Sequence, residues 1–424
     1  MFSQSQQTPR VVPAPSNSAT EKQSRPPPAR TLPVRNTLFS AKTACALWYE
    51  AFQHILPYYV AVHLAFFVTI YFSSLFLLKD FSSQSLHLST LWQLWARKDA
   101  GHFRFIALYG YTDWWRTAFF PLYPLLERSL LSVLHNPYVA GLFISNSAGL
   151  LMLVVLYRLV NEDFGHEQAM RTVLYLSIFP TAFFLAAAYN ESLFILLSLL
   201  SFYCMRRGLW WRAGLFGCLA SLTRSAGLLL LLPFVYEYLR QHQFRLRMIR
   251  FDSLSGLLIA AGTALFSVFC SIRFHDALAF SHAQTVIWSR QLRFPGEGML
   301  LALQAIKTIG LLSFLALHNL LDLGADLFIL ALLLLSLLGP WRMSRTLLSY
   351  SLYGFVNYLF FQLFPVINPF PLTSIPRFML ELFPAFIVLA ALGKHTIIHV
   401  NYIMISCALL FLLLTLFLTG HWFT

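Results

Sequence analysis

The stretch Trp95-Ala96-Arg97-Lys98-Asp99-Ala100-Gly101-His102-Phe103-Arg104 crowds a carboxylate, an imidazole and three cations into ten residues. On a helix, Asp99 and His102 stand three apart and face the same way. Moving a sugar from a phosphate leaving group to a hydroxyl with inversion needs one carboxylate to take the proton and cations to hold the phosphate. Asp99 has the chemistry of that base, and His102 can support it or hold the acceptor. Arg97, Lys98, Arg104, Arg224, Arg290 and Arg377 are candidates for the phosphate.

The later candidates sit at breaks in apolar sequence. Thr223-Arg224-Ser225 interrupts a stretch flanked at both ends by arginine, which predicts a hairpin with Arg224 near its tip. An arginine at such a place is costly and is a functional suspect by default. Tyr189-Asn190-Glu191 follows a run that Pro180 should kink, with Asn190 at a helix N-cap and Glu191 in the first turn, from where it could touch substrate. The 275–297 loop supplies His282, Gln284, Trp288 and Arg290, a set able to grip a sugar and a phosphate, and Pro376-Arg377 opens a late helix.

The elements that must position these residues are set by lipid. Of 424 residues, 58% are hydrophobic and 11% charged, with mean hydropathy +0.65. A soluble surface needs roughly a quarter of its residues charged, so an all-α polytopic membrane protein is expected. The net charge of +13 would suggest nucleic acid in a soluble chain, but here it falls in short runs between apolar segments, the pattern that writes topology. Spans are predicted near residues 55–78, 138–157, 172–189, 192–205, 209–223, 225–239, 253–272, 300–338, 346–364, 377–392 and 396–419, about eleven crossings. Several are shorter than the roughly 20 residues of a straight crossing, so tilted, broken or re-entrant helices are expected, and 300–338 has room for two.

Residues 1–42, rich in Pro, Ser, Gln and Thr, read as a disordered cytoplasmic tail, and 43–424 as one multi-pass domain whose first apolar run stays as a transmembrane helix. The basic clusters Arg206/Arg207/Arg212 and Arg240/Arg245/Arg247/Arg250 belong in the cytoplasm. Alternation then exports 79–137, 189–191, the tip near 224, 273–298 and 365–377. The large first loop carries six basic residues against this rule, and four carboxylates with them. Its aromatics Trp92, Trp95, Trp114 and Trp115 suit headgroup depth. Five scattered cysteines without CxxC spacing read as small core residues, and the lack of an Asp-x-Asp pair predicts no bound metal and no cofactor.

At these residues the chain resembles the PIG-V family, of GPI mannosyltransferase 2 type, and its bacterial relatives among the GT-C glycosyltransferases. The resemblance is carried by Lys98-Asp99-Ala100-Gly101-His102-Phe103, Ala118-Phe119-Phe120-Pro121-Leu122-Tyr123-Pro124, Phe179-Pro180-Thr181, Tyr189-Asn190-Glu191-Ser192, Leu222-Thr223-Arg224, His282-Ala283-Gln284 and Pro376-Arg377-Phe378, in order across about 90–392. It implies a GT-C-like bundle with a large first extracytoplasmic loop. It also implies a polyprenyl- or dolichyl-phosphate mannose donor, a glycolipid or glycan acceptor, and reaction on the outer or lumenal face of a bacterial cell membrane or the endoplasmic reticulum. By the same comparison Asp99 matches the acid of the first non-cytoplasmic loop. The family usually places Trp directly before it, where this chain has Lys98. Two other readings compete: a multi-pass lipid-linked sugar transporter or flippase, which should show two similar halves, and a catalytically inert assembly subunit. No internal repeat is evident, and the polar residues gather on one face.

Overall fold

A computed structural model describes residues 41–75, 93–95 and 97–421. The expected tail, apart from its last two residues, and Trp92 lie outside them. The described residues are helical, with one isolated antiparallel bridge, between Arg290 and Val366. In chain order the α-helices are α1 (Ala41–Leu75), α2 (Asp99–Tyr109), α3 (Leu122–Leu134), α4 (Pro137–Phe164), α5 (His166–Ser177), α6 (Glu191–Arg206), α7 (Trp210–Thr223) and α8 (Leu231–Gln241). They continue as α9 (Gly256–Phe274), α10 (Ala279–Val286), α11 (Glu297–Ile309), α12 (Phe314–Leu337), α13 (Leu348–Gln362), α14 (Ile375–Phe378), α15 (Phe383–Leu392) and α16 (Thr396–Leu418).

Five described helices are long and apolar enough to cross a bilayer: Cys45–Leu75, Pro137–Phe164, Phe251–Phe274, Phe314–Leu337 and Thr396–Leu418. A sixth span exists if Ile375–Glu381 and Phe383–Leu392, bent by 81°, count as one. The other crossings expected from sequence are short helices, such as α6 with 16 residues, α13 with 15 and α7 with 14. The 300–338 block does hold two helices, α11 and α12. Pro180 does not kink a continuous helix: α5 stops at Ser177, and a 3₁₀ turn, Ala182–Leu185, follows. The missing proline N–H and its ring clash end the helix here rather than bend it.

Small residues let the central helices approach closely, as dispersion-driven packing in lipid requires. A Cβ on Gly262 of α9 would lie 2.4 Å from the Cys218 carbonyl oxygen, and one on Gly214 of α7 would lie 2.2 Å from that of Ser255. Arg224 leaves α7 in extended conformation (φ −155°, ψ 150°) before a 3₁₀ turn leads into α8, so it does occupy the break of a hairpin. The cysteines divide: Cys204 and Cys270 are buried, but Cys45 and Cys407 are exposed on apolar helices, where lipid makes a small apolar residue as acceptable outside as inside.

Candidate active site

Residues far apart in sequence meet in one buried chain of charges. Arg377 Nη1 donates to Asp99 Oδ2 at 2.7 Å, and its Nε donates to Glu191 Oε1. The same Glu191 oxygen accepts from Arg224 Nη1 at 2.8 Å, and Arg224 Nη1 also lies 3.0 Å from Glu381 Oε1. Glu191 and Glu381 are fully buried, whereas the Asp99 side chain keeps 22% of its surface open. Asp99 is thus the outermost carboxylate of the chain. It pairs with an arginine 278 positions away, while the nearby Arg104 turns to Tyr138.

Local structure explains how each group gets there. The backbone turns at Lys98 (φ 49°), uncommon for a residue with a Cβ, so that α2 begins with Asp99. Glu191 opens α6, where a carboxylate also faces the positive end of the helix dipole. Asn190 occupies the N-cap position but makes no side-chain cap; its Nδ2 donates to the Thr223 carbonyl and so ties the start of α6 to the break at Arg224. Pro376 starts α14, which aims Arg377 inward, and a 3₁₀ turn over Met379–Glu381 brings Glu381 to the same cluster.

Arg290 stands apart in its bonding. Its Nη1 and Nη2 donate to the carbonyls of Phe364 (3.1 Å) and Thr373 (3.3 Å), and among the described residues no carboxylate pairs with it. Burial pushes its pKa down to about 10, and the positive charges of Arg377 and Arg224 push the same way against the pull of Asp99. All three guanidiniums converge on one ring, that of Phe378, at 4.8 Å for Arg224, 5.4 Å for Arg290 and 5.9 Å for Arg377. A cation held among cations and, among the described residues, hydrogen-bonded through its side chain only to carbonyls has the chemistry to accept an anion.

His102 lies one turn along α2 from Asp99. It stacks on Phe119 (4.8 Å, 27°), meets Trp115 and Trp288 edge-on, and has Arg116 Nη1 3.4 Å from its Nδ1. Burial lowers its pKa from the ordinary imidazole value; Asp99 opposes this and Arg116 reinforces it.

Three sequence candidates go elsewhere. Arg104 is exposed and donates to the Tyr138 hydroxyl at 3.2 Å. His282 is exposed and bonds Asp276 at 2.7 Å. Gln284 contributes its backbone, whose carbonyl accepts from the Arg290 amide at 3.0 Å. Glu381 was missed by sequence reasoning, although a carboxylate inside the apolar run of 375–392 is itself a signal.

Comparison with known proteins bears on what this cluster serves. Residues 120–272 match the family profile of dolichyl-phosphate-mannose-protein mannosyltransferase. Over 146 residues, 31% of the chain, it is 36% identical to GPI alpha-1,6-mannosyltransferase 2 of Mus musculus, and over 144 residues it is 35% identical to that of Rattus norvegicus. The resemblance read from the motifs is to the PIG-V mannosyltransferases, and it holds. The match spans 29% of the length of each of these PIG-V relatives. A solved structure of ArnT from Cupriavidus metallidurans bound to undecaprenyl phosphate aligns over 86% of this chain and 76% of its own, at 14% identity and a TM-score of 0.46, too low to support more than the likeness itself. Glu191 and Arg224 lie inside the segment that matches the family profile; Asp99, Arg290, Arg377 and Glu381 lie outside it.

Proposed function

We propose that this integral membrane protein is an inverting glycosyltransferase that moves mannose from a polyprenyl- or dolichyl-phosphate donor to the hydroxyl of a glycolipid or glycan. The observation that carries this reading is the convergence of three arginines on Phe378, one of them lacking a carboxylate partner among the described residues, beside the partly exposed carboxylate of Asp99. The names of the PIG-V relatives and of the matching family support mannose and the lipid-phosphate donor.

In this reading the acceptor hydroxyl attacks the anomeric carbon from the face opposite the phosphate. Asp99 takes the hydroxyl proton as the new C–O bond forms. The old bond breaks with its electron pair on the phosphate oxygen, and Arg290, with Arg224 and Arg377 behind it, receives that charge. The cluster is partly dry, so each of these contacts is stronger than it would be in water. Glu191 and Glu381 hold Arg224 and Arg377 in place before the donor arrives, so little reorganisation remains.

Orientation follows the basic clusters: the amino terminus in the cytoplasm and positions 99, 191, 290 and 377 on the extracytoplasmic or lumenal side. Purified protein in nanodiscs should transfer mannose from a polyprenyl-phosphate carrier, and activity should survive EDTA. Turnover of a nucleotide sugar with no lipid carrier present would overturn the assignment. Labelling by an impermeant thiol reagent of Cys introduced at 207, but not at 282, in intact cells or sealed right-side-out vesicles would invert the topology.

A further inference from the structure

A groove of about 410 Å³ opens between α1, α5 and α16, and the chemistry around Asp99 does not use it. It lies at the other end of α4. That helix starts beside α2, where Tyr138 accepts from Arg104, and its last turn carries Asp163, which bonds Arg206 at 2.6 Å; α5 begins two residues after it ends. Two walls of the groove, α1 and α16, are membrane spans. Tyr58 on α1 is 43% exposed, and Ile397 on α16, two residues from His399, is 76% exposed, so the groove opens among apolar side chains that suit lipid.

Its lining divides into two kinds of chemistry. Tyr58, Met170 and Leu174 give apolar surface, whereas His166, Arg171 and His399 give hydrogen-bond donors. Arg171 is held from behind: its Nε donates to the Ala390 carbonyl at 3.0 Å, and three residues back Gln168 Nε2 donates to that of Ile387 at 3.1 Å. Its Nη1 is 3.7 Å from Glu167 Oε2, longer than a hydrogen bond, and that carboxylate is 82% exposed. Each imidazole is fixed at Nδ1 by a tyrosine hydroxyl at 2.7 Å, His166 by Tyr157 and His399 by Tyr175. Where the hydroxyl donates, the ring keeps its proton on Nε2, a donor for a further acceptor. Gly393 makes the second contact possible, since a Cβ there would lie 2.0 Å from the Tyr175 hydroxyl oxygen, and Lys394 follows it, exposed.

We propose that this groove binds an anionic phospholipid from the leaflet at this end of the molecule. The phosphodiester sits between Arg171 Nη1 and the two imidazoles, with Lys394 adding charge, and an acyl chain lies along Tyr58, Met170 and Leu174. Basic pockets between membrane helices select lipids of net negative charge, because cations at headgroup depth attract it. A soluble phosphate would leave the apolar lining uncovered, so the phosphate here is one that carries chains. Bound in this way, the lipid joins α1 and α16 to the pair of helices, α5 and α15, that Arg171 and Gln168 already strap together.

The test is native mass spectrometry of the full chain released from detergent, with dioleoylphosphatidylglycerol and dioleoylphosphatidylcholine as competing probes. No turnover is involved, so the outcome is independent of the transferase reading. One phosphatidylglycerol should be retained at least about tenfold more tightly than phosphatidylcholine, and Arg171→Gln should weaken it by about tenfold or more, the scale of one charge-assisted contact. Leu174→Trp, which fills the groove and leaves its charges in place, should also expel the lipid and serves if the arginine variant does not fold. Arg212→Gln, at an exposed basic residue outside the groove, should leave binding unchanged. Equal retention of the two lipids by the parent protein overturns the proposal, as does phosphatidylglycerol binding that Arg171→Gln and Leu174→Trp leave at the parent level. Displacement of the lipid by millimolar inorganic phosphate would give the site to a soluble anion and overturn the lipid assignment.

Discussion

Two buried networks of charge lie at opposite ends of α6. At its start, Glu191 joins Asp99, Arg377, Arg224 and Glu381. At its end, Arg206 donates to Asp163 at 2.6 Å and lies 3.7 Å from Glu237, which also pairs with Arg240, while the Tyr350 hydroxyl donates to Asp163 at 2.7 Å. The second network is closed: Arg206 meets acids of α4 and α8, Arg240 meets Glu237 of its own helix, and with Tyr350 the group ties together α4, α6, α8 and α13. The first is open, because Asp99 keeps exposed surface and Arg290, which shares the Phe378 ring with Arg224 and Arg377, bonds through its side chain only to carbonyls among the described residues. A buried ion pair is therefore no mark of a catalytic site by itself. A candidate site is marked instead by a charge whose partner is left for something else to supply.

The comparison breaks most sharply at Asp99. Asp99→Asn keeps size and removes the proton acceptor, so transfer should fall by about 10² to 10⁴, the usual worth of a general base. Asp113→Asn, a carboxylate of the same loop, should cost less than about tenfold. Rates for both variants, measured beside donor affinity, decide it: equal and mild effects would remove Asp99 from the chemistry. Next comes Arg290→Gln, which should raise the donor KM by about ten- to a hundredfold, the scale of one charge-assisted contact, with thermal stability nearly unchanged. A stability loss with normal donor KM would move Arg290 into the class of Arg206.

In the closed network the expectation is reversed. Asp163→Asn leaves the Arg206 guanidinium and the Tyr350 hydroxyl facing a neutral amide, and should lower stability by about 3 kcal/mol, as removal of one partner of a buried pair does. The donor KM should stay within about twofold of the parent protein.

The smallest effect concerns Glu127 on α3. It is almost fully buried beside Gly141 and Tyr123, and burial raises its pKa to about 9 from an ordinary 4.5. A raised folded pKa means that stability is fully present below about 4.5 and is lost as pH climbs toward 9. Glu127→Gln should therefore be more stable than the parent at pH 8, by at most about 5 kcal/mol, with the difference vanishing near pH 4. Denaturation curves at the two pH values check this; an advantage that is the same at both would mean the carboxyl titrates normally.

How much of this was legible follows from what sequence encodes. Helices and their breaks were, because an apolar run, a proline and an arginine act locally: the break at Arg224 and the end of α5 before Pro180 are read from residues within a few positions. The residue types of the site were legible for the same reason, Asp99, Glu191, Arg224, Arg290 and Arg377 all standing at interruptions of apolar sequence. Their pairing was not. Asp99 had charged neighbours at Lys98 and Arg104, and nothing local says that α14 will carry Arg377 to it across 278 positions. His282 has the right type in the right loop, yet Asp276, six residues back, satisfies it first. Glu381 escaped because the apolar pattern around it dominates the reading of its segment.

The length of α6 has a consequence for where charge lies in the membrane. Its 16 residues set Glu191 and Arg206 about 22 Å apart along the axis, at 1.5 Å per residue. A hydrocarbon core is about 30 Å thick. α6 is buried by its neighbours along nearly its whole length, so protein rather than lipid meets the difference. With the two charged networks closer together than the two faces of such a core, at least one of them lies within its thickness, shielded from lipid by protein.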